Sequence, residues 1–349
     1  MLRDLRYLFA YTLPASAFAA VYLQGWWSFA AVAYGFGVVP LLDQLVPRPR
    51  TNADGEEGGR ALPDAVFDVL LYANVPVLYA LLAYALHTVT AVDLAAYELV
   101  GLALSVGIIA GSLGINVAHE LGHRPGRLEQ VLARALLLPN LYTHFVVEHN
   151  RGHHRRVATP EDPATSRFGE SLYGFWVRSV WGGYVSAWRL EADRLRRAGR
   201  APFGLDNQLV GFTVLQAGYL GLVTWLFGLT GLLFAVAVAA IGVLLLESVN
   251  YIEHYGLQRR LLPSGRYEPV TPRHSWNSEH ELGRIILYEL TRHADHHYKS
   301  TRPYQSLRYL PQSPELPAGY PASILMALVP PLWRGVMDRR VEAWRVEAA

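Results

Sequence analysis

Hydrophobic residues along this chain fall in long blocks instead of alternating with polar ones. Six apolar segments, at 7–23, 26–46, 65–89, 96–118, 209–227 and 229–251, are nearly free of charge on every face. A helix crossing the hydrocarbon core of a bilayer needs about 20 apolar residues, and a tilted helix tolerates some spread around that length. A surface helix of a soluble protein would be apolar along one stripe only. The pattern predicts an all-α integral membrane protein with six transmembrane helices. Two further stretches are amphipathic. Leu128–Val147 sets Glu129 and Arg134 against Leu and Val, and Leu172–Arg197 opens in aromatics and ends in Arg194, Arg196 and Arg197. Aromatic residues beside basic ones suit a membrane interface.

Arginine gives the orientation. Arg3 and Arg6 precede the first segment, Arg48, Arg50 and Arg60 follow the second, and 124–208 is rich in Arg. Positions 61–123 and the connections at 24–25, 90–95 and 228–231 have no basic residue. With six spans every Arg-bearing segment falls on one side, which the positive-inside rule assigns to the cytoplasm. Both termini are then cytoplasmic, and 119–208 and 252–349 form a cytoplasmic helical cap on a single catalytic domain, 1–349. No cleavable signal is expected, because Leu2-Arg3 runs on into apolar sequence. An Ala/Leu/Arg-rich chain points to a bacterial inner (cytoplasmic) membrane.

Composition narrows the chemistry. A net charge of +2 offers no electrostatic case for nucleic acid. The absence of cysteine excludes disulfides, thiolate zinc, iron–sulfur ligation and thiol catalysis. A bound metal must use nitrogen and oxygen, and 13 histidines are available.

Nine of them fall into four groups on the inferred cytoplasmic side. His119-Glu120-Leu121-Gly122-His123 lies at the exit of the fourth segment, where an i, i+4 pair shares a helix face. In Glu148-His149-Asn150-Arg151-Gly152-His153-His154, His149 and His153 are again i, i+4, while His154 points about 100° away. One helix then serves two metals. His254 ends the sixth segment in Asn250-Tyr251-Ile252-Glu253-His254, and His293, His296 and His297 follow in Arg292-His293-Ala294-Asp295-His296-His297. Nine imidazoles are too many for one ion, so two ions with open positions fit better. Imidazole suits iron, zinc or copper. Zinc would make a hydrolase and iron an oxygenase; a site beneath an apolar bundle receives lipid-soluble substrates, which contain little to hydrolyse. Glu120, Glu148, Glu253 and Asp295 are placed to orient the imidazoles from behind. Trp26, Trp27, Tyr34 and Phe36, with Glu247 and Asn250, are candidates to line a substrate channel. His87, His144, His274 and His280 lack partners at ligand spacing.

Together the motifs HELGH (119–123), EHNRGHH (148–154), NYIEHYGL (250–257) and RHADHH (292–297) resemble those of the membrane alkane 1-monooxygenases, within the fatty-acid desaturase and hydroxylase superfamily. Further agreement lies in ATPEDPATSRFGES (158–171) and GRYEPVTPRHSWNS (265–278). Arg124, Ala294 and Leu290-Thr291 depart mildly from the family pattern, and none is a candidate ligand. The resemblance implies two non-haem irons on His119, His123, His149, His153, His154, His254, His293, His296 and His297. It implies O₂-dependent terminal hydroxylation of n-alkanes drawn from the lipid membrane. With no cysteine in the chain, electrons would come from a separate rubredoxin-type carrier and its reductase. Arg151, Arg155, Arg156, Arg194, Arg196 and Arg197 offer that carrier, or anionic lipid, a basic surface. The alternatives are a related diiron hydroxylase or desaturase acting on fatty acyl or methyl-aromatic substrates, an intramembrane zinc metallopeptidase suggested only by HELGH, and a metal transporter. The last would want polar residues across mid-span, where these segments are almost bare of them.

Overall fold

The computed structural model describes residues 2–46, 48, 50, 52 and 64–348. Helix α1 (Thr12–Leu23) is followed by α2 (Gly25–Leu42), α3 (Asp64–Ala91) and α4 (Ala96–Gly122). Then come α5 (Arg127–Leu137), α6 (residues 145–156), α7 (Leu172–Arg197) and the 47-residue α8 (Gln208–His254). Four short helices close the order: α9 (Glu281–Ile286), α10 (His293–Tyr298), α11 (Tyr320–Ala327) and α12 (Pro330–Ala348). The described residues form no sheet, only isolated β-bridges between Leu261 and Tyr267 and between Asn277 and Glu315.

Among the described residues four helices, α2, α3, α4 and α8, are long and apolar enough to cross a membrane. The segment predicted at 7–23 is also helical, but Arg6–Tyr11 winds as a tighter 3₁₀ helix and only Thr12–Leu23 is α. Arg6 and Tyr7 are drawn onto the buried Glu289 at 3.0 and 2.8 Å, which ties this end to α9 and its following turn. The segments predicted at 209–227 and 229–251 are the two halves of α8. Unbroken, 47 residues would measure about 70 Å, more than twice the hydrocarbon thickness. Gly228 interrupts the helix at φ 64, ψ −164, a conformation open essentially to glycine. Both ends of α8 lie at the histidine end of the molecule. The N–H of Gln208 donates to Glu191, which also takes Arg151 of α6, while His254 is itself in the cluster. Gly231, just past the break, lies against Leu86 near the distal end of α3. The sequence Gly228 therefore turns α8 into a hairpin. The α1–α2 junction lies at the same distal end, where the N–H of Gly25 donates to Glu98 at 2.6 Å and Trp26 packs on Tyr97.

Helix α4 is the central post: 89% of its apolar window is buried, against 22% for α2 and 39% for α8. It meets α8 backbone to backbone. A Cβ on Gly111 would come within 2.8 Å of the Gly242 carbonyl, so glycine is what permits the approach. The amphipathic stretch predicted at Leu128–Val147 is not one helix. It ends at Leu137, Leu141 takes φ 52, and a new helix starts at Phe145. That turn aims α6 inward. A second apolar cluster, including Tyr251, Tyr255, Trp276, Tyr320 and Trp333, holds the end of α8 under the C-terminal helices. Arg6 reaches Glu281 and Glu289, and Arg345 reaches the Gly256 carbonyl, so both ends of the described chain are at the histidine end.

Candidate metal centre

The ligand atoms sort into two groups, within each of which they lie no more than 4.8 Å from one another. The first is His119, His123, His149, His154 and His296; the second is His153, His254, His293 and His297. All nine predicted histidines are included, but not in the predicted partition. His149–His153 is a π-helical turn in which the His154 N–H donates to the His149 carbonyl. The wider turn brings His149 and His154, five apart, to the first group and sends His153 to the second. A regular α-helix would have paired His149 with His153. In α10, His293 and His297 face the second group across one turn, and His296 faces the first. Helices α6 and α10 thus each supply both groups.

Within the groups the Nε2 atoms face one another. The separations are 3.2 Å for His149–His123, 3.1 Å for His154–His123, 3.0 Å for His154–His149 and 3.2 Å for His296–His154. In the second group they are 2.9 Å for His297–His293, 3.2 Å for His153–His297 and 3.3 Å for His293–His254. The Nε2 of His119 is buried without a hydrogen-bond partner. Burial, and then the neighbouring imidazoles, push His149, His154, His293, His296 and His297 well below the usual histidine range, and His123 down to about 4. Burial disfavours protonating these rings, and imidazole nitrogens gathered this closely suit a shared cation. Nitrogens about 2.1 Å from a shared ion and at right angles sit about 3.0 Å apart, which is the spacing seen. The residues present fit two metal ions.

Burial lowers His153 too, but the nearby carboxylates of Asp162, Glu148 and Glu247 outweigh it and hold this ring above the ordinary value. Asp162 Oδ2 is 2.8 Å from His153 Nδ1 and accepts from the Thr165 hydroxyl at 2.6 Å. This is the carboxylate-behind-imidazole arrangement that fixes ring orientation at metal sites, and sequence reasoning did not single it out. Its signal was there, inside the 158–171 stretch. Of the four predicted carboxylates, Glu253 alone reaches an imidazole, with Oε2 3.2 Å from His293 Nε2 and Oε1 accepting from the Tyr320 hydroxyl at 2.7 Å. Glu120 binds Arg124 and the Tyr304 N–H, Glu148 binds Arg156 and Ser186, and Asp295 binds Arg302 and Arg308. Each is neutralised by arginine before it can face a ring.

An apolar cavity of about 890 Å³ of non-atom space runs from Leu13, Phe36 and Ile108 to His119, His149 and His293. It touches both groups. Ile108 and His119 are 11 positions apart on α4, about 16 Å of helix. Near the histidines the wall carries polar atoms of Asn116, Asn250 and Glu253. Two buried histidine groups thus stand at the head of an apolar cavity. Residues 95–324 match the fatty acid desaturase family. The chain is 41% identical to alkane 1-monooxygenase 1 of Alcanivorax borkumensis over 336 residues, 95% of this chain and 83% of that one. It is 42% identical to alkane 1-monooxygenase 1 of Pseudomonas aeruginosa over 320 residues, 91% and 84% of the two chains. The chain belongs to the alkane 1-monooxygenase family. A more distant relative, at 28% over 94% of this chain and 86% of the other, is the xylene/toluene monooxygenase hydroxylase component of Pseudomonas putida.

In this member of the alkane 1-monooxygenase family, the predicted channel residues separate. Phe36 and Asn250 line the cavity. Trp26 and Trp27 are exposed at the distal end of the molecule, beside the Gly25 turn that faces them outward. Tyr34 is held by the Thr12 hydroxyl at 2.7 Å. Glu247 lies behind the cavity wall, accepting from Tyr142 at 2.9 Å and Ser179 at 2.5 Å. His144 packs between Tyr142 and Tyr184, outside both groups.

Proposed function

We propose that this protein is a membrane-embedded diiron alkane 1-monooxygenase, converting n-alkanes to 1-alkanols with O₂ and electrons from a separate rubredoxin-type carrier. The observation that carries it is the meeting of two histidine groups with one apolar cavity. His119, His123, His149, His154 and His296 would hold one iron, and His153, His254, His293 and His297 the other. Bound there, the irons would supply O₂ activation and the oxidation of a C–H bond, one oxygen atom entering the product and the other leaving as water. Asp162 holds His153 in the ring orientation ligation needs. Phe36, Ile108 and Leu246 position a substrate that offers no hydrogen bond, by shape alone, and keep water from it. Tyr320 holds Glu253 at the metal end of the wall.

Support for six membrane crossings comes from the α8 hairpin, the matching α1–α2 hairpin and the arginine distribution. Both termini would then face the cytoplasm of a bacterial inner membrane. The apolar cavity and the xylene/toluene relative also favour a second substrate class, methyl-aromatics. Conversion of a graded n-alkane series, xylene and a fatty acid by iron-loaded protein, with metal analysis, tests the reading. It expects 1-alkanols and two irons per chain. Modification of acyl chains alone, or one zinc per chain with peptide cleavage, would overturn it.

A further inference from the structure

We infer that the groove on α7 lined by Trp181, Tyr184, Trp188, Arg189, Arg196 and Phe203 is a binding site for an anionic phospholipid of the surrounding bilayer. Residues 181, 184, 188 and 192 recur at helical spacing and make one apolar stripe. Phe203, from the loop after α7, closes it by packing on Trp188 with ring centroids 6.1 Å apart. Trp181, Tyr184 and Phe203 remain exposed, and the groove is open, with about 890 Å³ of non-atom space. Arg189 and Arg196, seven apart, share the rim. Arg196 meets only Asp193, and both are more than half exposed. Among the described residues Arg189 has no ion-pair or hydrogen-bond partner.

Three other arginines of this surface are spent elsewhere. Arg151 and Arg194 converge on Glu191, and Arg156 on Glu148. Glu191 also accepts the N–H of Gln208 at 3.1 Å, so the groove is fastened to the first turn of the apolar α8. It stands where α8 enters the bilayer, an inference that rests on the orientation proposed above. Exposed Trp and Tyr prefer the headgroup layer, and an unpaired guanidinium binds phosphate in two-pronged fashion. Aromatic walls for the glycerol and upper acyl chain, with arginine at the rim, fit a lipid better than the flat charged face an acidic electron carrier would need.

The test uses full-length protein in nanodiscs of equimolar phosphatidylcholine and phosphatidylglycerol. After transfer to detergent, native mass spectrometry is expected to find phosphatidylglycerol retained over phosphatidylcholine. The double variant R189Q/R196Q should lose that selectivity, roughly fivefold for each arginine, with metal content unchanged. A diazirine-bearing phosphatidylglycerol should label the peptide 181–203. Equal retention of the two lipids by the unaltered protein, or labelling confined to other segments, overturns the proposal. So does a double variant that keeps its lipid but shows a raised KM for the electron carrier, because the groove would then dock the carrier. Loss of labelling at 181–203 together with failure of α8 to label from the bilayer would overturn the membrane orientation as well.

Discussion

At the residue scale, the two histidine groups differ in what stands behind them. Asp162 anchors His153 of the second group, and the same carboxylate is fixed by Thr165. Replacing Asp162 with Ala is expected to weaken metal binding by about 10- to 100-fold, read as metal per chain after dialysis against a graded chelator. His254→Ala should remove one ion of two, because His254 belongs to the second group alone. Metal analysis that still found two ions would contradict the partition. All nine histidines that the fold gathers into the two groups were legible from spacing and resemblance. Of the carboxylates beside them, Glu253 was legible and Asp162 was not. Glu120, Glu148 and Asp295 sit next to histidines in sequence, yet arginines nearby in the chain claim them: Arg124 takes Glu120, Arg156 takes Glu148, and Arg302 and Arg308 from beyond α10 take Asp295.

At the scale of elements, the π turn at His149–His153 decides which ring joins which histidine group. It amounts to one extra residue in a helical turn. Deleting Asn150 should restore α-helical winding with His154 four residues after His149, still on the first group's face, so metal content should hold at two per chain while helicity by circular dichroism persists. Loss of metal from this variant would show that the shared face alone does not set the partition. Gly228 makes the second element-level prediction. Gly228→Ala would force a side chain into φ 64, ψ −164, at a cost of about 1–3 kcal/mol, seen as a lowered thermal midpoint with the metal centre intact. The helices themselves were legible as apolar blocks. What periodicity alone does not reveal is local winding: the 3₁₀ start at Arg6 and the π turn at His149 keep the same residues on the same helix and change only how many fill a turn.

Across the whole molecule, the cavity joins the distal packing of α1, α2 and α4 to the metal end. Val249 lines it one turn before Glu253. Val249→Trp should fill this neck and lower alkane turnover on the order of 100-fold, as expected when a substrate is misplaced by about 1 Å. Metal content should not change; a variant of full activity would show that substrate reaches the histidines by another route. The channel wall was the part of the site least readable in advance. Any aromatic in a span is a candidate from sequence, and it took the fold to send Trp26 and Trp27 outward and Phe36 inward.

The cavity has an apolar wall and ends on histidines. A flexible chain threaded into such a cavity arrives tip first. Presenting an internal carbon would require a fold in the chain, packed against a wall that includes Phe36, Ile108 and Leu246. Regiochemistry is then an end effect, comparable to a depth gauge. The protein has no need to tell a methyl group from a methylene, because whichever carbon leads is the one presented.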